Sequence, residues 1–96
     1  MGAEACSAAV EAAVAGFGKL TTLVNVAVAV TPNEDAVNLP LEDWNKALAI
    51  NLTASFLTAK YSVPYMRAAG GGTIINIASN FGQIGQVKRI AYSTTK

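Results

Sequence analysis

Gly72-Thr73-Ile74-Ile75-Asn76-Ile77-Ala78-Ser79, followed by Tyr92-Ser93-Thr94-Thr95-Lys96, is the stretch from which the fold can be read. The first segment is a glycine, then an apolar run rich in β-branched residues that closes on a serine, the pattern of a short buried strand. The second places a tyrosine and a lysine four residues apart, so on a helix opening at Ala91 they share one face. A free tyrosine titrates near pH ~10, and a cation held a few ångströms away favours its phenolate. A strand-end hydroxyl followed by a Tyr–Lys helical pair is therefore a candidate acid–base centre. Ser79 would supply a preorganised hydrogen-bond donor to a substrate oxygen.

Working outward, Gly70-Gly71-Gly72 ends a long helical pattern that starts near Pro40, a residue suited to a first turn. Trp44, Leu48, Leu52, Ser55, Phe56, Ala59, Val63 and Met66 read as its inner stripe, and Pro64 is expected to kink it or divide off a last turn. The glycines precede a strand, whereas a phosphate cradle opens onto a helix N-terminus, so they read as a stop. Upstream, Thr22 to Val30 is a continuous apolar run, the signature of a parallel strand covered on both faces. Before it, Cys6, Val10, Val14 and Phe17 form an apolar stripe on an alanine-rich helix over 3–17. The order is helix, strand, helix, strand, helix start. Two strands joined by a crossover helix make a right-handed βαβ unit, so the expectation is an α/β fold, part of a doubly wound parallel sheet.

Composition narrows the function. Ninety-six residues allow one small domain, and an apolar content of 52% with 14% charged residues is core-forming material. A net charge of +1 argues against a nucleic-acid binder. All six acids stand at or before Asp43 and six of the seven bases after it, a polarity read as incidental. The absence of histidine removes His-based triads and most transition-metal sites, so no metal is expected. Ser79 without a histidine is not a hydrolase nucleophile. A single cysteine, Cys6, fits a reducing compartment. No basic n-region opens the chain and no apolar run is long enough to span a bilayer, so a cytoplasmic protein without membrane contact is expected.

In order and spacing, Ser79, Tyr92 and Lys96 resemble the Ser…Tyr-x-x-x-Lys signature of the short-chain dehydrogenase/reductase family. Asn51 in Ile50-Asn51-Leu52-Thr53 falls where that family keeps the asparagine of its catalytic tetrad. Leu23-Val24-Asn25-Val26-Ala27-Val28 is similar to the family's Leu-Val-Asn-Asn-Ala-Gly strand end, with Val26 in place of the second asparagine and Val28 in place of glycine. Thr21 stands where members often have aspartate. Leu41-Glu42-Asp43-Trp44 and Phe17-Gly18-Lys19-Leu20 also read as family text. The resemblance implies a Rossmann-like NAD(P)-binding domain, with residues 1–96 a single incomplete copy. It implies NAD or NADP as cofactor and a small carbonyl or alcohol substrate. Catalytic roles fall to Asn51 (holding a relay water), Ser79, Tyr92 and Lys96. Cofactor contacts fall to Asn25, Ala27, Tyr92 and Lys96. It also implies a homo-oligomer joined through the helix over 41–69, whose Ile50, Leu57 and Tyr61 lie off the inner stripe.

Competing readings stay open. Asn51 also reads as a buried structural asparagine, and Asn51-Leu52-Thr53 as a glycosylation sequon, remote on a mid-helix. Lys88 and Arg89 are either ordinary solvated loop charges or groups that favour an anionic substrate or the cofactor phosphates. The glycine loop that anchors a dinucleotide in the family is not in this stretch. The alternative to an oxidoreductase is thus a non-catalytic, truncated or degenerate fragment acting as an oligomerisation or interaction module.

Overall fold

A computed structural model describes residues 2–29, 32–79, 82–83 and 88–96. The order of elements is α1 (Ala3–Phe17), β1 (Thr22–Asn25), α2 (Leu41–Ala47), a π-helical turn (Leu48–Thr53), α3 (Ala54–Ala68), β2 (Thr73–Asn76) and α4 (Ile90–Thr95). This is the expected α/β order. The described residues form two compact units, residues 2–26 with 54–77, and residues 27–53 with 78–96.

In the first unit β1 and β2 pair in parallel, Thr22 opposite Thr73 and Asn25 opposite Asn76. The ladder extends at both ends through Thr73 N–H to Thr21 O (2.8 Å) and Ile77 N–H to Asn25 O (3.1 Å). The apolar runs over 22–30 and 73–78 are longer than the strands they form, because each ladder residue needs a partner. Helices α1 and α3 pack together, and α3 lies against β1. Continuous hydrophobicity implied cover on both faces, yet Val24 is 49%, Ile74 38% and Ile75 44% exposed. Ile74 and Ile75 point to opposite faces, so β2 is open on both among the described residues, while α3 packs against β1.

Helix α1 buries Cys6 and Val10, as its stripe requires, but Phe17 is 87% exposed. Phe17 is the last helical residue, and Gly18 turns the chain away immediately after it. Helix α3 runs through Pro64 without dividing. Pro64 and Lys60 are both exposed, so the Lys60 carbonyl that loses its partner faces solvent. The buried residues of α3 are Ala54, Ser62 and Met66, while Phe56 of the expected stripe is 63% exposed. Gly70 and Gly71 adopt positive φ (95° and 144°), which stops the helix and confirms the glycine run as a terminator.

Asn25 and Asn76, the last pair of the register, join side chain to side chain, Asn25 Nδ2 donating to Asn76 Oδ1 at 2.8 Å. Thr58 on α3 donates its hydroxyl to Asn25 Oδ1 at 2.8 Å. A polar link between helix and sheet thus closes the carboxyl end of the strands.

In the second unit Pro40 caps α2 from just outside, its carbonyl accepting from Asp43 N (3.1 Å) and Trp44 N (3.2 Å). Asp35 Oδ1 accepts from Val37 N and Asn38 N, an Asx turn that shapes the approach to α2. The π turn then inserts extra backbone into the helical repeat. Ala47 and Asn51 are buried, and Leu52, expected inside, is 51% exposed. The inserted residue rotates the face that a constant period of 3.6 assigns.

Candidate active site

The chemistry-bearing residues Asn51, Ser79, Tyr92 and Lys96 all fall in the second unit. Helix α4 carries Tyr92, and Lys96 follows as its C-cap, donating its backbone N–H to Tyr92 O at 2.9 Å. The two are therefore one helical turn apart, as their spacing required. Both are half-buried. Ala91 and Thr95 form the buried face of α4, at 2% and 6% exposure, which turns Tyr92 and Lys96 off that face.

Asn51 is 8% exposed, and both functions of its amide are in use. Oδ1 accepts from Ala29 N at 2.7 Å, and Nδ2 donates to Thr95 Oγ1 at 3.0 Å. Thr95 Oγ1 donates in turn to Ala91 O at 2.8 Å. One asparagine in a π turn thus ties the segment that follows β1 to the helix that bears Tyr92. Thr95 has no role in the sequence reading. The only signal available for it was a hydroxyl at the position before Lys96, and that signal has meaning only once Asn51 is seen opposite.

Ser79 is half-buried, and its carbonyl accepts from Gly82 N at 3.0 Å. Gly82 in turn abuts the backbone carbonyl of Lys96, so closely that a Cβ on residue 82 would collide with it. The turn after Ser79 is thereby seated on the end of α4. Asn80, Phe81 and 84–87, part of the loop between Ser79 and Tyr92, lie outside the described residues. Gly82→Ala should force the turn and α4 apart, a rigid backbone clash costing about 1–3 kcal/mol. Thermal unfolding followed by the fluorescence of Trp44 tests this, and an unchanged midpoint would refute the seating.

Arg89 departs from the picture of a solvated loop charge. It is half-buried, and its Cζ lies 4.4 Å from the centre of the Tyr92 ring. Its backbone makes a parallel bridge to Glu34. Lys88, exposed, stands before it with φ of 59°, a left-handed conformation costly for a residue with a side chain. Ile90 lines an apolar cavity of about 270 Å³ with Ala36, Leu39, Leu41 and Trp44.

The two residues expected at the cofactor-side strand end divide. Ala27 is exposed in the second unit. Asn25 belongs to the first, where its side chain is held by Asn76 and Thr58 and its carbonyl accepts from Ile77 N in the ladder. Among the described residues no cluster of metal-ligating side chains occurs, and no helix is long and apolar enough to cross a membrane.

The family model of short chain dehydrogenases matches residues 2–96. The trans-4-hydroxycyclohexanecarboxylate dehydrogenase of Sinomonas cyclohexanicum is 45% identical over 95 residues, which are 97% of this chain and 35% of that protein. The crystal structure of an NAD+-bound xylitol dehydrogenase superposes with a TM-score of 0.92 at 32% identity, over 99% of this chain and 36% of that one. The structure of ElxO with NADP bound superposes with a TM-score of 0.89 at 28% identity, over 97% and 38%. The chain thus spans about a third of the length of the proteins it matches.

Proposed function

The chain belongs to the short-chain dehydrogenase family, and from that premise we propose that it is part of an NAD- or NADP-dependent oxidoreductase acting on a small alcohol or carbonyl compound. Residues 1–96 are then a portion of one Rossmann-like dinucleotide-binding domain. The observation that carries the proposal is the turn of α4 that presents Tyr92 and Lys96, anchored through Thr95 to Asn51.

The residues present fit a dinucleotide. The exposed segment 26–28 leaves its backbone open beside the end of β1, although Val28 brings a β-branched side chain, 47% exposed, where the family has glycine. By the family resemblance Asn25 and Ala27 would lie toward the adenosine side, and Tyr92 and Lys96 would meet the nicotinamide ribose. The bound nicotinamide supplies the acceptor or donor of a hydride. Tyr92 takes the proton of the substrate hydroxyl in oxidation and returns it to the carbonyl oxygen in reduction. Ser79 holds that oxygen, and Lys96 stabilises charge at the phenol. Asn51 holds the relay geometry: its side-chain amide is committed to Ala29 and Thr95, which supports a role in fixing α4 beside any ordered water.

Phe56, 63% exposed on α3, supports a homo-oligomer through the helix over 41–69, and a cytoplasmic location accords with the lone cysteine. A second reading, a non-catalytic interaction module, is favoured by the exposed Val24, Ile74 and Ile75 on the strand pair. Titration of the chain with NADH and NADPH separates them, with Trp44 as energy donor to the nicotinamide. The oxidoreductase reading expects a saturable response, and none up to about 1 mM cofactor leaves the module.

A further inference from the structure

Arg89 is a half-buried guanidinium that the proposed proton transfer does not use. Arg89 lies over the face of Tyr92, with Cζ 4.4 Å from the ring centre. Its Nε is buried and has no hydrogen-bond partner, and Nη1 makes a single long contact of 3.5 Å to Asn33 Oδ1. Glu34 is its backbone neighbour in a β-bridge, yet no ion pair joins Arg89 to any carboxylate among the described residues. No acid follows Asp43 in the sequence.

A half-buried cation is ordinarily matched by an anion, because its desolvation is otherwise uncompensated. Stacking on an aromatic ring immobilises a guanidinium and presents its in-plane edge, and here the Nη end, held only by the long contact to Asn33, is the part of that rigid fork suited to the two oxygens of a carboxylate. The backbone is arranged to keep it there. Lys88 is held at φ 59°, a strained conformation for a residue with a side chain, and the bridge to Glu34 pins the next residue. The ring that Arg89 covers belongs to the residue proposed to exchange a proton with the substrate.

We propose that Arg89 is a specificity-determining residue that binds a carboxylate, so that the alcohol or ketone reacting at Tyr92 is a hydroxy or oxo acid. The substrate part of this rests on the oxidoreductase reading above. A single planar guanidinium suits one carboxylate better than a phosphate dianion, which draws several cations.

Arg67 and Arg89 are the only two arginines in the chain, so Nε–H resonances of ¹⁵N-arginine-labelled protein report on one site and one internal control. Acetoacetate and butanone, which differ by the carboxylate, are titrated into the full chain, with inorganic phosphate as a third arm. The Arg89 signal should move saturably with acetoacetate, Arg67 should stay, and butanone should move neither. Arg89→Met should weaken acetoacetate binding about tenfold or more, and Arg89→Lys, which keeps charge but loses the fork, should fall between. Both arginines drifting together, butanone matching acetoacetate, or phosphate binding more tightly than acetoacetate would each overturn the proposal. Equal acetoacetate affinity in the wild type and a folded Arg89→Met would do the same. If the cofactor titration fails while Arg89 still discriminates, the oxidoreductase reading falls and carboxylate recognition stands. If cofactor binds and Arg89 does not discriminate, the carboxylate proposal alone falls.

Discussion

Replacing Tyr92 with Phe should lower turnover by about 10²–10⁴-fold, the range lost when a positioned acid–base group is removed. Affinity for the cofactor should fall by no more than about tenfold, since a hydrogen bond to a neutral hydroxyl contributes about 0.5–1.5 kcal/mol. The substitution isolates one atom. The backbone bond from Lys96 N to Tyr92 O is independent of the side chain, and Ala91 and Thr95 still seat the helix. A phenyl ring also keeps a face for Arg89, so the stack seen at 4.4 Å survives in weakened form. Stability should therefore barely change, and kcat should carry the loss. The measurement is steady-state turnover in a form of the protein that shows activity, alongside the NADH titration. Retention of a tenth or more of the activity would remove Tyr92 from the proton-transfer role.

Asn51→Ala should be the most destabilising single substitution among the candidate site residues. It strands a buried N–H at Ala29 and removes the donor to Thr95 Oγ1, both within a residue 8% exposed. Leaving buried groups unpaired costs about 1–3 kcal/mol each, so a loss of about 2–4 kcal/mol is expected after relaxation. Thr95→Val removes the same contact from the other side. A double-mutant cycle should return a coupling of about 1 kcal/mol between the two positions. Urea unfolding monitored at Trp44, which lies in the same unit, reads both. A combined effect equal to the sum of the two single effects would mean that the 3.0 Å contact contributes nothing of its own. Activity should fall along with stability, because the helix carrying Tyr92 would lose its anchor.

The order of elements was legible because it depends on short-range patterns. Gly70–Gly72 announces a stop wherever it occurs, and a β-branched run after it has few options but a strand. The i, i+4 relation of Tyr92 and Lys96 is likewise local, and the helix realises it. The buried face of the long helix was legible only in part: Met66 is buried and Trp44, Leu48, Ser55, Ala59 and Val63 are half-buried, as the stripe implied. The π turn at Leu48–Thr53 changes the angular step in mid-helix, so a stripe drawn at constant period puts Leu52 and Phe56 inside when both are more than half exposed. Nor could the sequence say how much of each apolar run would pair, since that depends on whether a neighbouring strand is present.

By itself, then, the sequence determined the family, the helix–strand–helix–strand–helix order and the one-turn spacing of the candidate proton donor and its lysine. All of these are written in residue types at short separations. The tertiary structure alone decided that Asn51 bonds residues 22 and 44 positions away, that Gly82 must lack a side chain to sit against Lys96, and that Arg89 covers Tyr92. The reason is physical. A hydrogen bond or a close approach between distant residues is set by how segments pack, and packing follows from the helical register that the π turn resets.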